Sequence, residues 1–260
     1  MTTQTSFTDW LAARKEPAWG SWLMSATPNT AEALGWAGFD FLVVDLEHVP
    51  VEPAQAIDHL RAIAATPAQA IVRLAESNPL LIKRALDIGA QNLMLPFVQS
   101  ADEARIAANA SLYPPQGERG VAAMHRASRY TTDADYFANA NTQRTLIAQI
   151  ETQAAIDQLE AIAAVEGINA LFAGPGDLAA SLGHIGKIAA GEVQEALQGI
   201  ARRSRAIGIP CGTVAPTVEL AQRAIAYGYD FVAVSSDMGF LMGAARSALA
   251  QLRAIPSAHQ

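Results

Sequence analysis

The segment AGFDFLVVD (residues 37–45) decides the interpretation of the fold, and YGYDFVAVS (residues 227–235) repeats its pattern near the other end of the chain. Both segments contain the end of a helix, a glycine, a polar turn and then a run of mostly apolar residues. IGAQNLMLP (88–96) and VEGINALFA (165–173) have the same shape. Apolar runs of this kind are typical of strands buried on both faces of a parallel sheet. The repeating unit is therefore a helix that leads into a buried parallel strand.

Outward from these segments, the pattern predicts eight strands with a helix after each. The strands are predicted at residues 18–24, 39–45, 70–74, 92–96, 146–151, 170–173, 210–215 and 231–235. The helices are predicted at residues 30–38, 53–65, 79–89, 101–112, 153–165, 190–207, 218–228 and 239–252. Eight such units fit an α/β fold of the closed (β/α)₈ TIM-barrel type better than an open sheet. No low-complexity linker interrupts them, so residues 1–260 are predicted to form a single domain.

The longest interval between predicted strands runs from residue 98 to residue 143. It contains one predicted helix and then the polar segment YPPQGERGVAAMHRASRYTTDADY, residues 113–136. A connection of this length is long enough to form a lid or a contact with another subunit.

The composition excludes several classes of protein. Hydrophobic residues make up 51% of the chain and charged residues 17%, which provides for a large core and excludes a disordered chain. With a net charge of −7 and only three lysines, the chain lacks the clustered cations of a nucleic-acid or anionic-membrane surface. The single cysteine cannot form an internal disulfide. Without a secretory signal or a long apolar run, the expected location is the cytoplasm.

Polar residues follow the predicted strands directly, where the chemistry of such barrels takes place. Around these strand ends the sequence places Trp22, Asp45, Glu47, His48, Arg73, Gln149, Glu151, Asp177, Ser235, Ser236 and Asp237. Residues of this kind would add little to a buried core. Their convergence at one end of the barrel predicts a functional site.

Glu151 and Asp177 follow neighbouring strands, and two carboxylates with water and a chelating substrate suit Mg²⁺ or Mn²⁺. The alternatives are two acids that only begin helices, or a glycosidase pair, which would need a sugar-sized groove. Asp177 follows a Gly-Pro-Gly turn at 174–176, whose backbone amides could bind a carboxylate or a phosphate. Such a turn is also common in ordinary loops.

His48 and Arg73 are the other candidate reactive groups. A histidine three residues after Asp45 could act as a general acid/base, although a lone histidine is often structural. Arg73 ends an apolar strand, so it needs an anion, which is either a neighbouring carboxylate or a substrate oxyanion.

The lysines bear on the type of aldol chemistry that is possible. A Schiff-base enzyme needs a lysine that points into the barrel from a strand. Lys15, Lys83 and Lys187 all lie outside the predicted strands. If carbanion chemistry occurs here, a metal must supply the electron sink.

Five segments together resemble the class II, metal-dependent pyruvate aldolases of the 4-hydroxy-2-oxoheptanedioate and 2-dehydro-3-deoxyglucarate aldolase type. They are FDFLVVDLEHVP (39–50), the stretch from IVRLAESNP to FVQSADEA (71–104), YPPQGERGVA (113–122), the stretch from AQIETQAAID to FAGPGDLAASLG (148–183) and FVAVSSD (231–237). The likeness runs from about residue 20 to residue 237.

This resemblance implies a lyase that reversibly cleaves a 4-hydroxy-2-oxo acid into an aldehyde and pyruvate, or a related 2-oxo acid such as hydroxypyruvate. It implies a divalent cation (Mg²⁺, Mn²⁺ or Co²⁺) held by Glu151 and Asp177 and chelated by pyruvate, and a homohexamer, a trimer of dimers, that exchanges its last helix between subunits. It also implies a role for each remaining site residue: Arg73 stabilises the enolate, His48 and Asp45 form an acid/base dyad, the amides of Gly176 and Asp177 bind the pyruvate carboxylate, and Gln149 and Trp22 line the pocket.

Two departures from the family pattern concern the rim of the pocket. The chain has NASLYPP where many relatives carry an arginine before the tyrosine, and Ser235-Ser236-Asp237 where glycine or asparagine is frequent. Two other functions remain open: a CoA-ester lyase of the citrate-lyase β type, and a phosphate-binding barrel isomerase that uses the loops after the last two strands.

Overall fold

A computed structural model describes residues 5–255 and contains a closed barrel of eight parallel strands in sequence order. The strands are β1 (Ala18–Leu23), β2 (Phe41–Asp45), β3 (Gln69–Arg73), β4 (Asn92–Leu95), β5 (Thr145–Ile150), β6 (Ala170–Ala173), β7 (Cys211–Ala215) and β8 (Phe231–Ser236). Each strand pairs in parallel with its neighbours, and β8 closes onto β1. The predicted (β/α)₈ barrel is confirmed.

Twelve helices are present in residues 5–255. They are α1 (Phe7–Ala12), α2 (Pro28–Trp36), α3 (Pro53–Ala64), α4 (Pro79–Asp87), α5 (Ala101–Ser111), α6 (Tyr136–Gln143), α7 (Gln153–Asp157), α8 (Leu159–Ala163), α9 (Pro175–Ser181), α10 (Gly191–Ala206), α11 (Val218–Tyr227) and α12 (Asp237–Arg253). The sequence analysis did not predict α1, α6 or α9. The helix predicted at 153–165 is two short helices, because the backbone at Gln158 leaves the helical conformation.

Local signals in the sequence explain where many of these helices begin and end. Thr27, Asn78 and Thr217 accept a hydrogen bond from a first-turn amide, which satisfies a donor that has no partner within the helix. Gly228 ends α11 with a φ of 100°, a left-handed conformation that glycine adopts at low cost.

The apolar residues form two clusters, one between the strands and the helices and one inside the barrel. Aromatic rings fill the barrel interior. Phe7 from α1 is 1% exposed, and its ring makes edge-to-face contacts with the rings of Phe41 and Phe231. These rings leave no room for a side chain at Gly20, where an added Cβ would lie 2.3 Å from the Phe41 ring. Helix α1 therefore closes the amino-terminal end of the barrel.

Segment 113–136 lies at the same amino-terminal end. Arg119 forms an ion pair with Asp87 at the end of α4, and Arg126 donates to the carbonyl of Ile88. Through these contacts the segment is held at the amino-terminal end, so within its own subunit it does not form a lid over the strand carboxyl ends. The alternative, a contact with another subunit, stays a prediction.

Helix α12 contacts the barrel mainly near its first turn. Asp237 is its only buried residue and accepts hydrogen bonds from the amides of Met24 and Ser25. The apolar side chains further along α12 are exposed, among them Phe240, Leu241, Met242, Leu249 and Leu252. Within residues 5–255 no helix is both long enough and apolar enough to cross a membrane.

Candidate active site

Asp45 and Arg73 form an ion pair at the carboxyl ends of β2 and β3. The two residues are partners in the strand register, which brings their side chains together. Arg73 Nε donates to Asp45 Oδ1 at 2.9 Å, and Arg73 Nη2 donates to Asp45 Oδ2 at 2.6 Å. Asp45 is fully buried, and two parallel hydrogen bonds of this kind fix the plane of the guanidinium.

Two more side chains hold the Arg73 guanidinium from other directions. Glu47 Oε2 lies 2.7 Å from Arg73 Nη1, and the Trp22 ring centre lies 4.3 Å from Arg73 Cζ. Glu47 was among the strand-end residues in the sequence, but no role was predicted for it. Two acidic residues two positions apart, Asp45 and Glu47 at the end of β2, do not reveal from the sequence that both carboxylates contact the same arginine.

Glu151 follows β5 and is 1% exposed. Its Oε1 accepts a hydrogen bond from the Phe97 amide at 2.7 Å, and its Oε2 accepts one from Gln149 Nε2 at 3.0 Å. Phe97 has a φ of 50°, an uncommon conformation for a non-glycine residue, and its amide is thereby aimed at the carboxylate. A Cβ at position 174 would lie 2.3 Å from Glu151 Oε2, so glycine is required there.

The pKa of Glu151 is raised to about 7, mainly by burial and also by the negative charges of Asp177 and Glu47, against the opposing effects of the Phe97 amide and of Arg73. Burial also raises the pKa of Glu47. Carboxylates packed this closely repel one another, and a cation would relieve that repulsion. The donor set, carboxylate oxygens from Glu151 and Asp177, is the type that Mg²⁺ and Mn²⁺ prefer.

The protein itself would supply only a few of the ligands to a cation at this site. In the described part of the chain, no group of three or more His, Cys, Asp or Glu side chains is arranged to hold a metal ion. The predicted set has only two, Glu151 and Asp177, and leaves the remaining positions to water and substrate. The residues present therefore fit an open divalent-cation site.

Three buried polar atoms of the site have no hydrogen-bond partner within residues 5–255: Gln149 Oε1, Trp22 Nε1 and Glu47 Oε2, of which the last is ion-paired with Arg73. A buried donor or acceptor without a partner is costly, and one at a functional site commonly receives its partner from a ligand or an ordered water. The predicted pocket positions Gln149 and Trp22 thus present an acceptor and a donor at the carboxyl end of the barrel.

The His48 side chain is 56% exposed, and its Nε2 lies 3.8 Å from Glu47 Oε2. Its backbone amide, and not its ring, faces Asp45, with an N–O distance of 3.4 Å. The Asp45 carboxylate is committed to Arg73. The structure therefore places the imidazole beside Glu47, where the resemblance implied a dyad with Asp45.

Gly176 and Asp177 lie in the first turn of α9. Gly174 occupies the N-cap and has no side chain to accept from the turn, and Pro175 has no amide hydrogen. The amides of Gly176 and Asp177 therefore stay available to an anion. Asp237, by contrast, has a structural role: its carboxylate accepts from the Thr30 hydroxyl at 2.7 Å and from the backbone at the end of β1.

Comparison with known proteins agrees with this geometry. Residues 19–244 match the model of the HpcH/HpaI aldolase/citrate lyase family. The chain is 50% identical over 240 residues to 2-dehydro-3,6-dideoxy-6-sulfogluconate aldolase of Pseudomonas putida, which covers 92% of this chain and 94% of the relative. It is 46% identical over 220 residues to 5-keto-4-deoxy-D-glucarate aldolase of Salmonella paratyphi A, covering 85% and 86%.

The fold of a solved relative agrees as well. The crystal structure of an HpcH/HpaI aldolase/citrate lyase family protein from Burkholderia cenocepacia superposes with a TM-score of 0.91 at 38% identity, covering 95% of this chain and 98% of that chain. The aldolase family that the sequence motifs predicted is thus confirmed. The chain belongs to the HpcH/HpaI aldolase/citrate lyase family.

Proposed function

We propose that this protein is a divalent-metal-dependent aldolase that reversibly cleaves a 4-hydroxy-2-oxo acid into pyruvate, or a close 2-oxo acid, and an aldehyde. The observation that carries the proposal is the presence, at one barrel mouth, of the buried Glu151 and the half-buried Asp177 together with a guanidinium fixed on three sides. The relatives with 46–50% identity are named as aldolases of sugar-derived acids, which favours aldol cleavage over a CoA-ester lyase.

The cation would be held by Glu151 and Asp177. When bound, it supplies a Lewis acid that polarises the 2-oxo group and accepts electron density during carbon–carbon cleavage. No lysine offers the alternative of an imine: Lys15 precedes β1, Lys83 lies in α4 and Lys187 lies between α9 and α10. The hydrogen bonds from Gln149 and Phe97 would orient the Glu151 oxygens.

Arg73 would stabilise the oxyanion that forms when the substrate enolises. Its Nε and Nη2 donate to Asp45 and its Nη1 is ion-paired with Glu47, so the guanidinium cannot swing away, while Nη1 and Nη2 still carry hydrogens for a further acceptor. A donor fixed in advance interacts more strongly with the charged enolate than with the neutral ketone. This difference lowers the barrier instead of only tightening binding.

His48 would transfer the proton of the substrate 4-hydroxyl. Its exposed ring lies at the mouth beside Glu47, where it can reach a substrate. The amides of Gly176 and Asp177 would bind the 2-oxo acid carboxylate, and the Gln149 and Trp22 side chains would line the pocket around it. Each of these roles is carried by a group whose position is described above.

We further propose that α12 is exchanged between subunits in a homohexamer of paired dimers. The exposed apolar residues on α12 support this, because such a surface is normally covered by a partner.

Chelation and borohydride trapping test the type of chemistry. Exhaustive EDTA treatment should abolish aldol cleavage, and Mg²⁺, Mn²⁺ or Co²⁺ should restore it. Borohydride added with pyruvate should leave the protein mass unchanged. Full activity after chelation, or a covalent pyruvyl-lysine adduct in the mass spectrum, would overturn the proposal.

A further inference from the structure

A second cavity lies at the amino-terminal end of the barrel, away from the candidate active site. Its volume is about 560 Å³, within the usual range of small-molecule sites. The starts of β3 and β4, the ends of α3 and α4, and segment 126–144 line it. Gln69 at its wall and Arg73 at the catalytic end lie four positions apart in β3, roughly 13 Å at about 3.3 Å per residue.

Four arginines line this cavity: Arg119, Arg126, Arg129 and Arg144. Asp133 is the only carboxylate residue among the lining residues. In a chain with a net charge of −7, such a concentration of positive charge is unexpected on composition alone. It also differs from the arginines of α10, where Arg203 is paired with Glu160 at the surface.

Arg144 is 5% exposed, and in residues 5–255 no carboxylate lies within 4.0 Å of it. Its Nη1 donates to the carbonyl of Gly167 at 2.9 Å and to Asn169 Oδ1 at 3.1 Å, while its buried Nε has no acceptor. Burial and the charge of Arg119 lower the pKa of Arg144 to about 10, so it still carries its charge at neutral pH. A buried cation without a carboxylate is rare because of its desolvation cost.

Arg126 adds to this imbalance, whereas Arg119 is paired with Asp87. Arg119 is 4% exposed; its Nη2 donates to Asp87 Oδ1 at 2.6 Å and to the Tyr136 hydroxyl at 3.1 Å, but its Nε is buried without an acceptor. Burial and the charge of Arg61 lower the pKa of Arg126, which donates only to the carbonyl of Ile88. In the described chain, neither Arg126 nor Arg129 forms an ion pair within 4.0 Å.

We propose that this cavity binds the phosphate group of a small metabolite. A tetrahedral dianion can accept hydrogen bonds from guanidinium groups that approach from several directions, whereas a planar carboxylate accepts mainly in its own plane. The cavity is larger than one phosphate, and its apolar wall, which includes Leu60, Ile63 and Leu86, would contact the carbon part of the ligand. This site is independent of the function proposed above, because it uses none of the residues of the catalytic mouth.

The experiment is calorimetric titration of the full-length protein with inorganic phosphate and with glycerol 3-phosphate, against chloride of equal ionic strength. We expect saturable binding of one phosphate group per chain, with glycerol 3-phosphate tighter than phosphate. The double variant Arg126→Gln, Arg129→Gln should weaken it about a hundredfold, since it removes two charge-assisted hydrogen bonds that each contribute about a factor of ten. Arg202→Gln, which removes one positive charge from the exposed face of α10, should leave binding unchanged.

Measurement of catalytic turnover distinguishes this site from the one at the mouth of the barrel. The double variant should keep the wild-type turnover measured without phosphate, because neither substituted residue lies at the catalytic end. Unchanged phosphate affinity in the double variant would mean that the anion binds elsewhere, and would overturn the proposal. A second result would also overturn the proposal: the wild type does not bind phosphate, and the double variant has a changed assembly mass. That result would indicate that a second copy of the chain fills the cavity.

A crystallographic measurement decides the matter if the double variant does not fold. Wild-type crystals soaked in tungstate, a heavy tetrahedral dianion, should show an anomalous peak among Arg126, Arg129 and Arg144. A peak confined to the catalytic mouth, or no peak, would contradict the proposal.

Discussion

Arg73 is held by two carboxylates and an indole, and this arrangement separates enolate stabilisation from simple substrate anchoring. We expect Arg73→Ala to slow the reaction by a factor of about 10²–10³, which is the usual effect of removing one such donor. The loss should appear both in aldol cleavage and in the exchange of pyruvate methyl protons with D₂O, which needs no aldehyde. NMR at saturating pyruvate and Mg²⁺ measures the exchange.

Arg73→Lys is the matched control, because it keeps the charge. It should recover little, since a compact ammonium cannot contact Asp45 and Glu47 in the same fork geometry. If Arg73→Ala exchanged protons at the wild-type rate and lost only apparent pyruvate affinity, Arg73 would be an anchor.

His48 has a different expected signature. His48→Ala should slow carbon–carbon cleavage by about 10²–10⁴, the range for loss of an acid/base group, while cation binding is retained. His184→Ala is a suitable control, because His184 is paired with Glu192 away from the mouth. Steady-state cleavage rates and cation titration measure the two effects, and near-normal turnover in His48→Ala would assign the histidine a structural role.

Gly174 allows the cation site to be tested without removing a ligand. An added methyl at this position would lie 2.3 Å from Glu151 Oε2 and must displace it. We expect Gly174→Ala to lower Mn²⁺ affinity at least tenfold, about 1.4 kcal/mol. Glu151→Gln should have a larger effect, and Gly176→Ala, where a Cβ meets nothing within 4 Å, should have little. Equal Mn²⁺ affinity in Gly174→Ala and wild type would contradict the assignment of Glu151.

At the scale of elements, helix α1 depends on a single aromatic side chain. Phe7 contacts the Phe41 and Phe231 rings inside the barrel, so Phe7→Ala leaves a cavity where the core cannot easily collapse. We expect a loss of about 3–5 kcal/mol in the free energy of unfolding. Urea denaturation measures this loss, and Ile185→Ala, a substitution at an exposed residue, is the control. A loss below about 1 kcal/mol would mean that α1 is not part of the core.

The strands were predictable because burial on both faces leaves a continuous apolar run. The β6 prediction matches its bounds, and β3 is shifted by one residue from its predicted range. Helix α1 was not predictable in the same way, because its six residues do not belong to one of the repeating strand–helix units. Helix α6 was missed because its sequence, YFANANTQ, carries few apolar residues and lies in a polar segment.

The candidate site was also predictable in part. The strand-end rule placed Arg73, Glu151 and their neighbours at one mouth, because parallel strands end together. The sequence could not show which carboxylate Arg73 contacts or that the Phe97 amide is aimed at Glu151. These depend on side-chain directions and on one uncommon backbone conformation.

At the scale of the whole molecule, α12 is the least covered element. Leu241 and Leu252 are 59% and 62% exposed, on a helix that touches the barrel mainly near its first turn. We expect Leu241→Glu to reduce the mass of the assembly in light scattering after size exclusion, because a charge in a covered apolar contact is costly. Ile185→Glu, at an exposed apolar residue outside α12, should not change it. An unchanged mass in Leu241→Glu would contradict helix exchange.

The packed aromatic interior also has a kinetic consequence. Because Phe7, Phe41, Phe172 and Phe231 block the axis of the barrel, nothing can pass through it from one end to the other. The mouth is then the only route in and out, and whichever molecule lies deeper must arrive first and depart last. Substrate binding and product release through this single opening would therefore follow a compulsory order, which would produce a characteristic pattern of product inhibition.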